Sequence, residues 1–273
     1  MLDRELIAAV RLAREAGKIL LEVYATEFGV EMKGAADPVT EADRRANAYI
    51  TAKLRESFPD DAVIAEESAN TALAGRGRCW FVDPLDGTKE FISRNGEFSV
   101  MIGLVVDGEA QLGVVYQPTE DKLYRGVVGD GAFLEHGDKT WSLKPSSEAE
   151  PSALRLVVSR SHRSASTDAL VKRLGITQEM PSGSVGIKVG LICERKADFY
   201  VLLAGASSVW DACAPDAILR AAGGRFTDLE GHGIDYRSPS LRNERGLLAC
   251  NRAAFERVVP VVAEVARGAG LLG

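Results

Sequence analysis

Apolar side chains recur at helical spacing over the first 24 residues, at Leu6, Val10, Ala13, Gly17, Leu20 and Tyr24, with charged residues between them. The spacing predicts an amphipathic helix behind an Asp3 cap. The segment KGAADP, rich in small and polar residues, links it to a second helix from about Thr40 to Phe58, whose apolar face includes Ala46, Ile50 and Leu54. Ala62 to Ala65 reads as a short strand ending in Glu66 and Glu67, and the polar TALAGRGR returns the chain to a second apolar run, Trp80-Phe81-Val82. That run stops at Asp83. Pro84 is not expected to continue a ladder, and Gly87 permits backbone shapes that other residues resist.

Past residue 91 the runs FSVMIGLVVDG, AQLGVVYQP, KLYRGVVG and GAFLEHG are rich in β-formers and punctuated by Asp107-Gly108 and Asp130-Gly131, which predicts an antiparallel meander. A polar stretch, KPSSEAEPS, divides a first half (1–150) from a second (151–273). The second half predicts a strand at LRLVVSR, a helix from Ser166 to Leu174 stopped by Gly175, a helix over VGIKVGLICERK and a strand at ADFYVLL. The next helix, VWDACAPDAILRAAGG, admits Pro215 only in its first turn, which puts Trp210 and Asp211 at its start. RFTDL and RGLLAC complete the strands, and a final amphipathic helix spans about Arg252 to Arg267.

The composition narrows the function classes. With 273 residues and 46% of them hydrophobic, the chain can form one large domain or two intimate halves. A formal charge of -6 offers no basic field for a nucleic-acid polymer or an anionic membrane. The N-terminus carries charges throughout, no later apolar stretch reaches membrane-spanning length, and a cytoplasmic location is expected. Cys79, Cys193, Cys213 and Cys250 are scattered without zinc-site or redox spacing and read as buried free thiols.

The chemistry concentrates at WFVDPLDGTKEF. Asp83 and Asp86 close a buried strand, and two acids so placed are unfavourable unless a cation sits between them. Glu66 and Asp211, from two other regions, also fall at element ends. Oxygen-only ligands favour magnesium or manganese, and a pair of such ions suits phosphoryl transfer. Gly87, Thr88 and Lys89 would open a short helix whose free amides suit phosphate oxygens. Thr88 could orient a water if Asp43 accepts its hydrogen bond. Taken alone, Thr40 and Asp43 read as a capping box. The D-x-D-G-T motif of aspartyl-phosphate hydrolases does not fit, because Pro84 and Leu85 separate the acids here.

With these pieces together, the chain resembles the inositol monophosphatase superfamily of lithium-sensitive, magnesium-dependent phosphatases. The resemblance runs through DPVTEAD (37–43), AEES (65–68), WFVDPLDGTKEF (80–91) and WDACAPDA (210–217). It implies an α+β fold, a layered αβαβα sandwich of the inositol monophosphatase and fructose-1,6-bisphosphatase type, with the site where the halves meet. It implies Glu66, Asp83, the Leu85 carbonyl, Asp86 and Asp211 as ligands of two or three Mg2+ ions, with Mn2+ as a substitute. Asp43 and Thr88 would activate water, which reverses the capping preference for Asp43; Glu67 is left as a supporting residue.

Within the superfamily, Lys89-Glu90 before Phe91 is similar to the 3'(2'),5'-bisphosphate nucleotidases, where inositol monophosphatases typically have Thr-Asn. SRSH (159–162) and the 210–217 segment are similar to the same branch. The resemblance implies that Gly87 and Thr88 cradle the phosphate, that Ser159, His162, Ser184 and Lys188 surround the substrate, and that Lys188 neutralises a second phosphate. The implied reaction removes the 3'-phosphate of adenosine 3',5'-bisphosphate. Rivals are an inositol-1-phosphate or fructose-1,6-bisphosphate phosphatase on the same frame and a non-catalytic nucleotide or metal sensor. The expected partner is a small phosphorylated substrate, and a homodimer is compatible with each reading.

Overall fold

The structure, a computed structural model, describes residues 2–34, 37–73, 75, 77–161, 163–203 and 207–272. Helix α1 (Asp3–Tyr24) opens the chain, and α2 (Glu41–Ser57) follows a small antiparallel hairpin of β1 (Val30–Gly34) and β2 (Asp37–Thr40). Strands β3 (Ala62–Ala65), β4 (Arg78–Asp86), β5 (Ser99–Val106), β6 (Glu109–Gln117), β7 (Lys122–Val127), β8 (Gly131–His136) and β9 (Lys139–Ser142) form a seven-stranded sheet in that order. Its β3–β4 pair is parallel and its other pairs are antiparallel, and a short helix, α3 (Thr88–Ile92), joins β4 to β5.

The second half supplies β10 (Arg155–Ser159), α4 (Ala165–Leu174), β11 (Gln178–Ser182), α5 (Val185–Cys193), β12 (Phe199–Leu202), α6 (Val209–Ala221), β13 (Arg225–Thr227), β14 (Leu247–Cys250) and α7 (Phe255–Gly268). Its five strands run in the order β11-β10-β12-β14-β13. Three cores define the layers. Leu12, Leu20, Ile50 and Leu54 of α1 and α2 pack on Trp80, Val100 and Val114 of the large sheet. On its other face, Phe81, Met101 and Val115 meet Val189, Ile192, Ala214 and Ile218 of α5 and α6, which Val157 and Tyr200 of the small sheet cover from beyond. Leu170, Val258 and Val262 of α4 and α7 close the outer face of the small sheet. The layers are therefore αβαβα, as expected, and each sheet buries both faces.

Close approach between sheet and helix depends on glycine. A Cβ on Gly113 would stand 2.1 Å from the Ala214 carbonyl oxygen, and one on Gly103 would stand 2.5 Å from Cys213 Sγ. Residue size on β5 and β6 thus sets how deeply α6 sits.

Several sequence expectations need correction. Asp3 does not cap α1: it is the first helical residue, the N-cap is Leu2 without a side-chain cap bond, and Asp3 favours the helix start through its charge. KGAADP is not a plain link, because Lys33 and Gly34 end β1 and Asp37 and Pro38 begin β2; β1 is exposed along its whole length and so carries no burial alternation to read. Pro84 does not end β4. Asp83 pairs with Met101 and Asp86 with Ser99, so one extra residue bulges at Pro84-Leu85, and the bulge absorbs the missing donor. Pro215 lies inside α6, in its second turn, leaving the Asp211 carbonyl without its helical donor. Strand β11 carries no strand signal in the sequence, because QEMPS is largely exposed and holds Pro181, which an edge strand tolerates. All four cysteines are buried and outside any disulfide, and no helix among the described residues is long and apolar enough to cross a membrane.

Candidate active site

The β4 bulge carries Asp83, Leu85 and Asp86 to one end of the large sheet, beside the starts of α2, α5 and α6. Two of these helices begin in the same way. Asp43 Oδ2 accepts the Thr40 amide at 2.8 Å and the Thr40 hydroxyl at 2.7 Å, while Asp211 Oδ2 accepts the Ser208 amide at 2.8 Å. Each acid is the third helical residue turning back on its own N-cap, which fixes its rotamer and leaves its second oxygen to face the site.

For Asp43 that second oxygen has a partner. Thr88 donates to Asp43 Oδ1 at 3.1 Å and lies 3.3 Å from the Leu85 carbonyl oxygen. The capping reading and the water-orienting reading of Asp43 are thus compatible, one oxygen serving each. Burial raises the Asp43 carboxyl above its ordinary range, and the bonds from Thr40 and Thr88 oppose that rise.

The other acids gather opposite. Asp83 Oδ1 accepts the Leu85 amide at 2.9 Å, and Asp83 shares a hydrogen bond with Asp211. Asp86 Oδ2 accepts the Ser184 hydroxyl at 2.5 Å and the Gly186 amide at 3.1 Å, joining β4 to α5 across the two halves. Glu66 stands in a single 3-10 turn after β3, where Lys33 donates to it at 2.8 Å and to Glu67 at 2.6 Å. Glu67 thereby gains a definite role, since its mostly buried carboxylate helps to anchor Lys33.

Burial and mutual repulsion act together on this set. Asp83 is held well above the usual carboxylate range by burial and then by Glu66, Asp86 and Asp211. Asp211 is raised by burial and by Asp86 and Glu66, and burial brings Glu66 to about 7 against the pull of Lys33. Glu66, Asp86 and Asp211 all raise Asp83, and Asp86 and Glu66 raise Asp211; with one oxygen of Asp83, Asp86 and Asp211 each fixed by an amide, the four carboxylates form a hard donor set suited to divalent magnesium.

The residues assigned to substrate are placed unequally. Gly87 adopts φ 101°, and a Cβ there would approach the Glu97 carbonyl oxygen at 3.0 Å, so the turn into α3 depends on glycine. The first-turn amides of α3 have no carbonyl four residues back within the helix. Ser159 ends β10 opposite Ser182. Ser184 caps α5; its hydroxyl accepts the Ile187 amide at 3.1 Å and meets Ser99 Oγ at 2.9 Å in addition to Asp86, so it is fully engaged in holding Asp86. His162 lies outside the described residues.

Lys188 is not the exposed helix charge that its position between Ile187 and Val189 allows. It is 3% exposed, with Nζ 5.0 Å from the centre of the Tyr200 ring. Burial lowers its ammonium, and Asp86, Glu90, Glu97 and Asp211 pull it back up. Glu90, buried in α3, accepts the Ser161 hydroxyl at 2.5 Å.

Two other features lie away from these acids. Asp228, Glu230 and His232 bring ligand atoms within 4.8 Å of one another, but Arg245 reaches both acids and Arg267 pairs with Glu230 at 2.6 Å, so the group is already charge-compensated. Grooves of about 700 and 590 Å³ run beside α1 and beyond the C-terminal end of α5. Charge and burial, rather than volume, mark the site.

The inositol monophosphatase family model matches residues 1–267. The chain belongs to the inositol monophosphatase family. It is 37% identical over 230 residues to the 3'(2'),5'-bisphosphate nucleotidase CysQ of Shigella flexneri and 38% identical to that of Salmonella typhimurium, covering 83% of this chain and 91% of each relative. Among solved structures, an IMPase of Thermotoga maritima superposes with TM-score 0.82 at 28% identity, over 97% of this chain and 99% of the other. CysQ of Bacteroides thetaiotaomicron gives TM-score 0.78 at 33% identity, over 91% and 97%. The family is metal-dependent, in keeping with the acid set around Asp83.

Proposed function

We propose that this chain is a magnesium-dependent phosphomonoesterase that hydrolyses the 3'-phosphate of adenosine 3',5'-bisphosphate, giving AMP and phosphate. The observation that carries the phosphatase reading is the Asp43–Thr88 hydrogen bond beside Asp83 and Asp211, two buried acids that their neighbours Glu66 and Asp86 raise. The substrate class follows from the nucleotidase relatives at 37–38% identity together with the buried Lys188.

Glu66, Asp83, the Leu85 carbonyl, Asp86 and Asp211 would hold the ions. Bound there, magnesium supplies a lowered pKa for water and neutralises charge on the phosphoryl oxygens. Thr88 gives its proton to Asp43, so its oxygen lone pairs are left to accept a hydrogen bond from the attacking water. Asp43 stays in place because its other oxygen is tied to Thr40. The amides at the start of α3 receive the ester's phosphoryl oxygens, with Gly87 allowing their close approach. Lys188, its ammonium held over the Tyr200 ring, receives the second phosphate. Ser159 and His162 complete the nucleotide side, and Ser184 keeps Asp86 oriented. Attack by water is direct, since Asp83 and Asp86 both belong to the cation-holding set and neither is free to form a phospho-aspartate.

Phosphate release measured in parallel from adenosine 3',5'-bisphosphate, inositol 1-phosphate and fructose 1,6-bisphosphate with magnesium tests the proposal. The bisphosphonucleotide should lead by at least about tenfold in kcat/KM, equivalent to about 1.4 kcal/mol in transition-state binding. Preference for either of the other esters would overturn the substrate assignment.

A further inference from the structure

Around Lys188 runs a set of polar contacts that the proposed chemistry does not use. Glu97, in the segment between α3 and β5, accepts Arg160 Nε at 2.7 Å and Nη2 at 2.6 Å, and the same carboxylate accepts the Gly183 amide at 2.7 Å. Arg160 also donates from Nη2 to the Pro181 carbonyl at 3.2 Å, and its amide donates to the Ser182 carbonyl at 3.1 Å. Beside this pair, Ser161 donates to buried Glu90 at 2.5 Å. Gly183 is wedged between the two acids, because a Cβ on it would stand 2.4 Å from the Glu97 carbonyl oxygen and 2.5 Å from Glu90 Cγ.

Glu90 and Glu97 both follow the turn that carries Asp86 and Thr88. The groups they hold end β10 and β11, which lead into the 159–161 segment and the start of α5. The Glu97–Arg160 pair is partly open to solvent, with side chains 25% and 40% exposed, so its own contribution to folding is small. Its geometry is nonetheless bidentate and directional, which suits it to fixing a distance. A cation can discriminate for a second phosphate only when its separation from the hydrolysed ester is fixed, and a displacement of about 1 Å can change a rate about a hundredfold.

We infer that Glu97 and Arg160, supported by Glu90 and Ser161, form a latch that sets the spacing between the turn bearing Asp86 and Thr88 and the helix bearing Lys188, and so selects substrates with a second phosphate. The inference rests on the nucleotidase reading. Glu97 and Arg160 are positioning residues, and neither has been placed in contact with substrate or cation.

The test compares adenosine 3',5'-bisphosphate with 3'-AMP, which has the same ester without the 5'-phosphate, for the wild type and for Glu97→Gln, Arg160→Met and Arg160→Lys. Arg160→Met and Glu97→Gln should raise KM for the bisphosphate about tenfold with kcat within about twofold, and leave kcat/KM for 3'-AMP within about twofold. Arg160→Lys, which keeps the charge but not the fork, should fall between. Thermal midpoints should stay within about 4 °C of the wild type. Equal losses on both esters, or no loss on either, would overturn the latch. A wild type indifferent to the 5'-phosphate would instead overturn the nucleotidase reading before any variant is compared.

Discussion

Asp216 sits in α6, one turn beyond Asp211, and is 2% exposed. Tyr236 donates to its Oδ2 at 2.9 Å, Oδ1 has no hydrogen-bond partner, and Arg220 Nε is 4.0 Å from the carboxylate. Burial pushes this carboxyl from its ordinary 3.8 up to about 7, against the pull of Arg220 and Tyr236. Between those values the native chain keeps a proton that the unfolded chain has released. The stabilisation from this group is therefore complete below about pH 4 and is lost as pH rises through about 7. Integrated from about pH 5 to about pH 8, the loss is about 3 kcal/mol. Asp216→Asn cannot ionise and should lose about 3 kcal/mol less stability than the wild type over that interval. Denaturant unfolding of both proteins at the two pH values, with magnesium held constant, measures it. Titrations of Glu66, Asp83 and Asp211 are common to both proteins and cancel in the difference. Identical pH slopes for wild type and variant would refute the reasoning.

Other consequences can be measured on the same material. Exhaustive chelation should abolish turnover, and restoring magnesium to about 100 times its dissociation constant should raise unfolding free energy by about 3 kcal/mol, read by the same denaturation assay. Asp83→Asn should remove nearly all activity while losing most of that magnesium-dependent stabilisation, because it deletes one acid from the set that repels itself without cation; full activity in this variant would count against the ligand assignment. Thr88→Val should reduce kcat by about 10² to 10⁴ and Thr88→Ser by much less, since only the hydroxyl is needed to accept from water and donate to Asp43. Gly113→Ala should destabilise by about 1–3 kcal/mol and lower kcat as well, because the added methyl drives the Ala214 backbone, and with it Asp211, away from the sheet; a loss of stability with kcat unchanged would show that α6 can move without displacing its acid.

Much of this molecule is legible in the chain itself. The helical spacing of Leu6, Val10, Ala13 and Leu20 specifies α1, Thr40 with Asp43 specifies where α2 begins, and the hairpin glycines 108 and 131 specify turns of the meander, because each signal acts over a few residues. The segment WFVDPLDGT points to the proposed cation site for the same reason: acids at the end of a buried strand are improbable without a counter-charge. Other features depend on chain segments that meet only after folding. Lys188 is buried because α5 is covered by a sheet on either side, a fact that its apolar neighbours Ile187 and Val189 do not by themselves decide. Asp43 serves two partners because Thr88, 45 residues away, comes to its second oxygen. The pairing of Glu97 with Arg160 spans 63 residues, and the joining of Asp86 to Ser184 spans 98. Local sequence determined which groups this protein has and which element presents each one. Tertiary packing decided which groups face one another, because the low-dielectric contacts that shift a carboxylate or orient a hydroxyl exist only once both sheets close over α5 and α6.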